Sequence, residues 1–141
     1  EWYNNRERLL GSRDAAEKNG MDLHVISMPD TTVDTGAQAF EEFRKAAAFP
    51  AGAVMANDAM AIGFLDAARK AGFSVPQQIG ITGFDDIPWA KLSYPPLTTA
   101  RVFIEEMGRL AAGRLLQLID NPDSHPVSIQ VPAEIIIRET G

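Results

Sequence analysis

The chain has 141 residues, 45% of them apolar, a formal net charge of −6 and no cysteine. That length gives one globular domain with a real core and excludes two, and the missing cysteines exclude disulfides and thiolate chemistry. Thirteen scattered basic residues in an acidic chain argue against a grip on nucleic acid by this stretch alone, which needs a clustered basic surface.

No apolar run approaches the roughly 18 residues of a membrane span. Glu1-Trp2-Tyr3-Asn4-Asn5 is unlike the start of a signal peptide, an observation of little weight if the chain is a fragment. His24 and His125 lie far apart with no ligand-like spacing, so neither a metal site nor a cofactor is expected.

In chain order, Asn4 or Asn5 can cap a helix over Arg6 to Lys18 that stops at Gly20. Asp22 to Met28 alternates loosely and is rich in Val, Ile and Leu, which predicts a strand closed by Pro29-Asp30. Ala37, Phe40, Phe43 and Ala47 fall at helical spacing in a second helix, about Asp34 to Ala48. A buried strand over Ala53 to Ala56 then feeds a helix from Asp58 to Lys70 whose wall is apolar almost all round. Such a helix is covered on both sides, either as the centre of a monomer's core or with one side at a subunit interface.

A strand over Ile79 to Phe84 follows the Gly72 and Pro76 turn, then a short turn or helix over Ile87 to Leu92, and a strand or crossover over Leu97 to Val102. Met107, Leu110, Ala111, Leu115, Leu118 and Ile119 recur three and four apart, the clearest amphipathic helix of the chain, over Glu105 to Ile119. Val127 to Arg138 reads as one or two strands broken at Pro132. Alternating strands and helices predict an α/β fold, a parallel sheet sandwiched by helices.

Two apolar strands stop abruptly on polar side chains, one at Asn57 and one at Asp85. In open α/β sheets that carboxyl edge is the ligand crevice, so the two would face it together. Asp85 offers two acceptor oxygens to neighbouring hydroxyls, and Asn57 one donor group and one acceptor. Blander readings compete. Asn57 or Asp58 can be a plain N-cap, Asp58 the better candidate. Asp85 and Asp86 suit any turn, and Phe84 and Trp89 read by default as core.

Catalysis has little support. The serines lack a G-x-S-x-G setting or a histidine partner, no phosphate-cradling glycine loop occurs, and Glu41-Glu42 and Glu105-Glu106 sit on outer helix faces. No catalytic residue is assigned. Binding without turnover is the better reading, against a more distant α/β enzyme on a flavodoxin-like sheet.

Ala56-Asn57-Asp58-x-Met60-Ala61-x-Gly63, Ala71-Gly72-Phe73-x-Val75-Pro76, Ile79-x-Ile81-x-Gly83-Phe84-Asp85-Asp86, Pro95-Pro96-Leu97-Thr98-Thr99 and Arg138-Glu139-Thr140, in this order and spacing, resemble the LacI/GalR family of bacterial transcription regulators. The resemblance implies the periplasmic-binding-protein-like fold, with residues 1–141 as the C-terminal lobe of a sensor core. The N-terminal lobe and the helix-turn-helix headpiece that reads operator DNA would lie outside it. Arg8-Leu9-Leu10-Gly11 matches the family's Arg-x-x-Gly motif, so Arg8, otherwise an ordinary solvated helix residue, joins Asn57 and Asp85 as an effector contact, with Asn4 and the segment Asp30 to Thr32 as lesser candidates. Many members carry an aromatic residue where Thr31 stands.

The resemblance further implies a sugar-like effector, a cytoplasmic homodimer whose interface includes Met60, Ala61, Phe64, Tyr94 and Pro95, and residues 103–120 packed on the other lobe. Without that lobe, the stripe on Glu105 to Ile119 is expected to be covered by rearranged packing or by a second copy. The nearest rival is a periplasmic sugar-binding protein of an ABC transporter.

Overall fold

The apolar runs that end beside Asn57 and at Asp85 form neighbouring parallel strands. A computed structural model describes residues 3–125 and 127–141. In order these are α1 (Tyr3–Lys18), α2 (Val33–Ala46), β1 (Ala51–Val54), α3 (Asp58–Lys70), β2 (Ile79–Asp85), a 3-10 turn (Pro88–Lys91), β3 (Thr98–Arg101), α4 (Ile104–Asp120) and β4 (Glu134–Ile136). The strands lie side by side in sequence order. Ala51 pairs with Ile79 and Thr82 with Thr98, both in parallel ladders.

β4 departs from the all-parallel expectation. It runs antiparallel to β3, with Arg101 opposite Glu134. The cause is the path of residues 102–133, which leave the sheet at the end of β3 and return at that same end. The sheet is therefore mixed.

Period-two alternation puts Ile79, Ile81 and Gly83 on one face of β2, where they are buried, and Gly80, Thr82 and Phe84 on the other. α3 covers the first face and α2 packs on α3. Phe40, Phe64, Ile79, Ile81 and Leu97 are fully buried between these layers. The two helices touch backbone to backbone through a reciprocal pair of glycines. A methyl group on Gly36 would lie 2.1 Å from the carbonyl oxygen of Met60, and one on Gly63 would lie 1.9 Å from that of Val33.

This packing holds three of the residues expected at a dimer face. Met60, Ala61 and Phe64 are 6%, 0% and 1% exposed and belong to the chain's own core. Tyr94 is 72% exposed and Pro95 half-buried.

The predicted strand over Asp22 to Met28 forms no ladder. Ile26 and Met28 pack toward the core, but the adjacent edge strand is Ala51-Gly52-Ala53-Val54. Three of its four residues offer almost no side chain for cross-strand pairing. The strand expected around Pro132 shrinks to Glu134–Ile136, and β1 starts earlier than expected and stops at Val54. α4 forms over the expected range, yet none of its residues is buried, and Ile104, Leu115, Leu116 and Ile119 are all exposed. Among the described residues, no packing buries this stripe, although Leu110 and Leu118 are half-buried.

Candidate functional site

Because β1 and β2 run the same way, their carboxyl ends share one rim, and Arg8 spans it from α1. One Arg8 Nη donates to the carbonyl oxygen of Ala56, the residue before Asn57. The other lies 3.9 Å from a carboxylate oxygen of Asp85. The guanidinium sits flat on Phe84, 3.6 Å from the ring centroid, a stacking that fixes its plane while leaving donors free at its edge. Phe84, expected as core, is half-buried and serves as the platform for Arg8. Trp89, also expected as core, is 66% exposed.

Asn57 is the N-cap of α3. Its Oδ1 accepts from the Met60 backbone N–H at 2.9 Å, and its Nδ2 donates to the Thr31 carbonyl at 3.0 Å. The plain cap expected at Asp58 is thus found one residue earlier. The amide side chain still borders the rim, and it ties the Asp30 to Thr32 segment to it. Asp30 itself accepts from the hydroxyl and the N–H of Thr32. The Thr35 hydroxyl first, and then these Thr32 contacts, lower its pKa from the ordinary value. The side chain of Asn4 lies outside the described residues.

Asp58 is wholly buried. One carboxylate oxygen accepts from the Thr99 hydroxyl at 2.5 Å and the other from the Ile87 N–H at 2.9 Å. Burial raises its pKa against the pull of those two hydrogen bonds. Gly83 leaves the space it needs, since a methyl group there would come within 2.2 Å of Asp58 Oδ1. Asp58 thereby joins the start of α3, β3 and the turn after Asp85.

That turn is unusual. Asp85 and Asp86 have φ of 113° and 56°, conformations few side-chain-bearing residues adopt, and found preferentially at functional sites. Burial pushes the Asp85 carboxyl up; Arg8 opposes this and Asp58 adds to it. Asp86, 10% exposed, accepts from Arg138 at 2.5 Å on one oxygen and from Arg101 at 2.7 Å on the other. Its burial favours the neutral form, but the two guanidinium groups outweigh it and hold the pKa below the ordinary value.

The structure brings Arg8 and Asp85 into contact, with Asn57 beside them, and leaves Asp85 and the Arg8 edge facing out of the rim. A carboxylate and a planar fork of donors are suited to orienting a polyhydroxylated molecule over an aromatic face. An open cavity of about 750 Å³ adjoins the rim between residues 21–28 and the free edge of β1. Arg8, Thr31 and Ala56 stand at its border, while Asn57 and Asp85 do not line it.

Sequence reasoning missed Asp58 as a latch and the Asp86 pairs. Fifteen and 52 residues separate Asp86 from its two arginines, and the only signal was the doubled aspartate facing the conspicuous Arg138-Glu139-Thr140.

A family model described as a periplasmic binding protein-like domain matches residues 2–140. The HTH-type transcriptional regulator AscG of Escherichia coli K12 is 34% identical over 122 residues, covering 85% of this chain and 36% of AscG. The structure of a transcriptional regulator CelR–cellobiose complex superposes with a TM-score of 0.87 at 32% identity, over 96% of this chain and 42% of that one. The lac repressor dimer bound to operator and the anti-inducer ONPF gives a TM-score of 0.86 at 26% identity, over 97% and 48%. The chain thus spans less than half the length of each. It belongs to the periplasmic binding protein-like domain family, in the form that serves as the effector domain of LacI/GalR-type transcriptional regulators.

Proposed function

We propose that this chain is the effector-binding and dimerisation lobe of a cytoplasmic LacI-type transcriptional regulator, and that its effector is a sugar or a related small metabolite. The observation that carries this is the shared rim, where Arg8, flat on Phe84, bridges the ends of β1 and β2 and meets Asp85. Cellobiose in the CelR complex supports a sugar-like ligand.

A second lobe closes the cleft and packs on α4, none of whose residues is buried. A headpiece outside these residues reads operator DNA. An effector bound better in one arrangement of the lobes shifts the population toward it and changes the spacing of the headpieces. The homodimer contact involves Tyr94 and Pro95; Tyr94 stands out from the chain with the Arg69 guanidinium stacked on its ring. The transporter alternative loses support because the relatives are regulators.

The test is a thermal-shift screen of sugars, purines and sugar phosphates on the protein carrying both lobes, repeated with Asp85→Ala. At least one sugar should raise the melting temperature of the parent and not of the variant. Stabilisation that survives Asp85→Ala removes Asp85 from the site, and a response confined to purines removes the sugar reading.

A further inference from the structure

Asp86 follows the effector-facing Asp85 and is locked where Asp85 is open. Its two carboxylate oxygens go to two different guanidinium groups. Arg101 is the last residue of β3, and Arg138 lies two residues past the end of β4. Between those arginines the chain leaves the sheet as residues 102–133, carrying α4, and comes back. Both roots of that excursion are therefore held by one carboxylate.

Arg138 is anchored further, through its other Nη to the Leu97 carbonyl at 2.7 Å and through its backbone N–H to the Thr98 hydroxyl at 2.9 Å. Arg101 also reaches Glu134 at 3.5 Å, across the ladder between the outgoing and returning strands. The neutral hydrogen bonds of Thr140 to Ile81 and Thr98 fasten the tail to the sheet, but they do not touch the turn. Among the described residues, Asp86 is the group that joins the turn to both roots.

The backbone on either side sharpens the connection. Asp85 and Asp86 both have positive φ, and Ile87 is fixed by Asp58. Asp85 itself stands opposite Arg101 in the β2–β3 ladder, so the outgoing root also has a backbone link to the turn, whereas Arg138 meets the turn through the Asp86 carboxylate. The geometry points to Asp86 as a positioning residue that passes a displacement of Asp85 to both roots of the α4 excursion, through Arg101 and Arg138. Naming Asp85 as the effector contact rests on the function proposed above; the tie from the turn to the roots does not.

The test needs no effector. Side-chain Nε–H resonances of Arg101 and Arg138 are read by NMR in the 141-residue chain, together with backbone amides over residues 102–104 and 134–138. Asp85→Asn, which alters the charge at the rim, is expected to shift both arginines, and the response at Arg138 and over residues 134–138 is expected to be lost when Asp86→Asn is also present. A response over residues 134–138 that persists in the Asp86→Asn background, or an Asp85→Asn effect confined to residues 84–87, overturns the assignment. Should Asp86→Asn fail to fold, Arg138→Lys cuts one arm alone. The response should then disappear over residues 134–138 and remain at Arg101, and an equal response at both roots overturns the assignment. A sugar screen without a hit would defeat the proposed function and leave these outcomes unaffected.

Discussion

Asn57 uses its carbonyl oxygen to cap α3 and its amide to hold Thr31, and the two roles can be separated. Asn57→Asp keeps an acceptor for the Met60 N–H and loses the donor. It should stay within about 0.5 kcal/mol of the parent in urea unfolding, whereas Asn57→Ala should cost about 1 kcal/mol. If the amide serves the site, both variants weaken effector binding; an Asp variant that binds like the parent would assign Asn57 to the cap alone. Asp85 makes a pH prediction. Burial raises its pKa above 3.8 despite Arg8, so effector binding that needs the carboxylate should weaken on acidification sooner than an ordinary aspartate would dictate. Titration calorimetry from pH 7 down to pH 4, roughly the ordinary aspartate value, checks this. Asp86 carries the opposite sign. Its folded pKa lies below 3.8, so the stability it contributes is complete above the unfolded value and is lost as pH falls through the folded one. Asp86→Asn should cost about 2 kcal/mol near neutral pH, with the gap to the parent closing in acid.

The contact between α2 and α3 sets the site from below. Gly36 and Gly63 let the two backbones meet, which puts Thr31, just ahead of the α2 cap Thr32, within reach of Asn57 at the start of α3. Gly63→Ala places a methyl group against a backbone carbonyl that cannot swing away. We expect a loss of about 3 kcal/mol in urea unfolding and weakened effector binding through the displaced Thr31; a fully stable variant would contradict this packing. At this scale much could be read from the sequence. α3 runs over Asp58–Lys70 as its pattern indicated, because a cap, an unbroken apolar run and a glycine turn all agree there. β2 ends on Asp85 for the reason inferred, an apolar strand stopping at a carboxylate. The alternation over Asp22 to Met28 misled because a ladder depends on its partner, and β1 presents mainly alanine and glycine. The inward placement of Met60, Ala61 and Phe64 was equally hidden. An all-apolar helix does not disclose which side its own chain will cover, and α2 covers this one.

For the whole molecule, the uncovered element is α4. With Ile104, Leu115, Leu116 and Ile119 between 59% and 68% exposed, the isolated chain presents an apolar stripe of the kind that drives association. Light scattering should find it self-associating at high concentration, and Leu115→Glu with Ile119→Glu should return it to monomer; a parent chain that stays monomeric throughout would show that α4 needs no cover. Asn57 and Asp85 could be named from sequence because each sits where an apolar run ends, and Arg8 through the resemblance of Arg8-Leu9-Leu10-Gly11 to the Arg-x-x-Gly motif. The Asp86 pairs could not, since they depend on three distant segments meeting. The reading as a whole is tested most directly by calorimetric titration of a sugar that stabilises the two-lobed protein, against Arg8→Lys, Asp85→Asn and their combination. Each single change should weaken binding by about tenfold or more, with the double change less than additive because the two side chains touch. Unaltered affinity in both single variants would place the effector somewhere other than this rim.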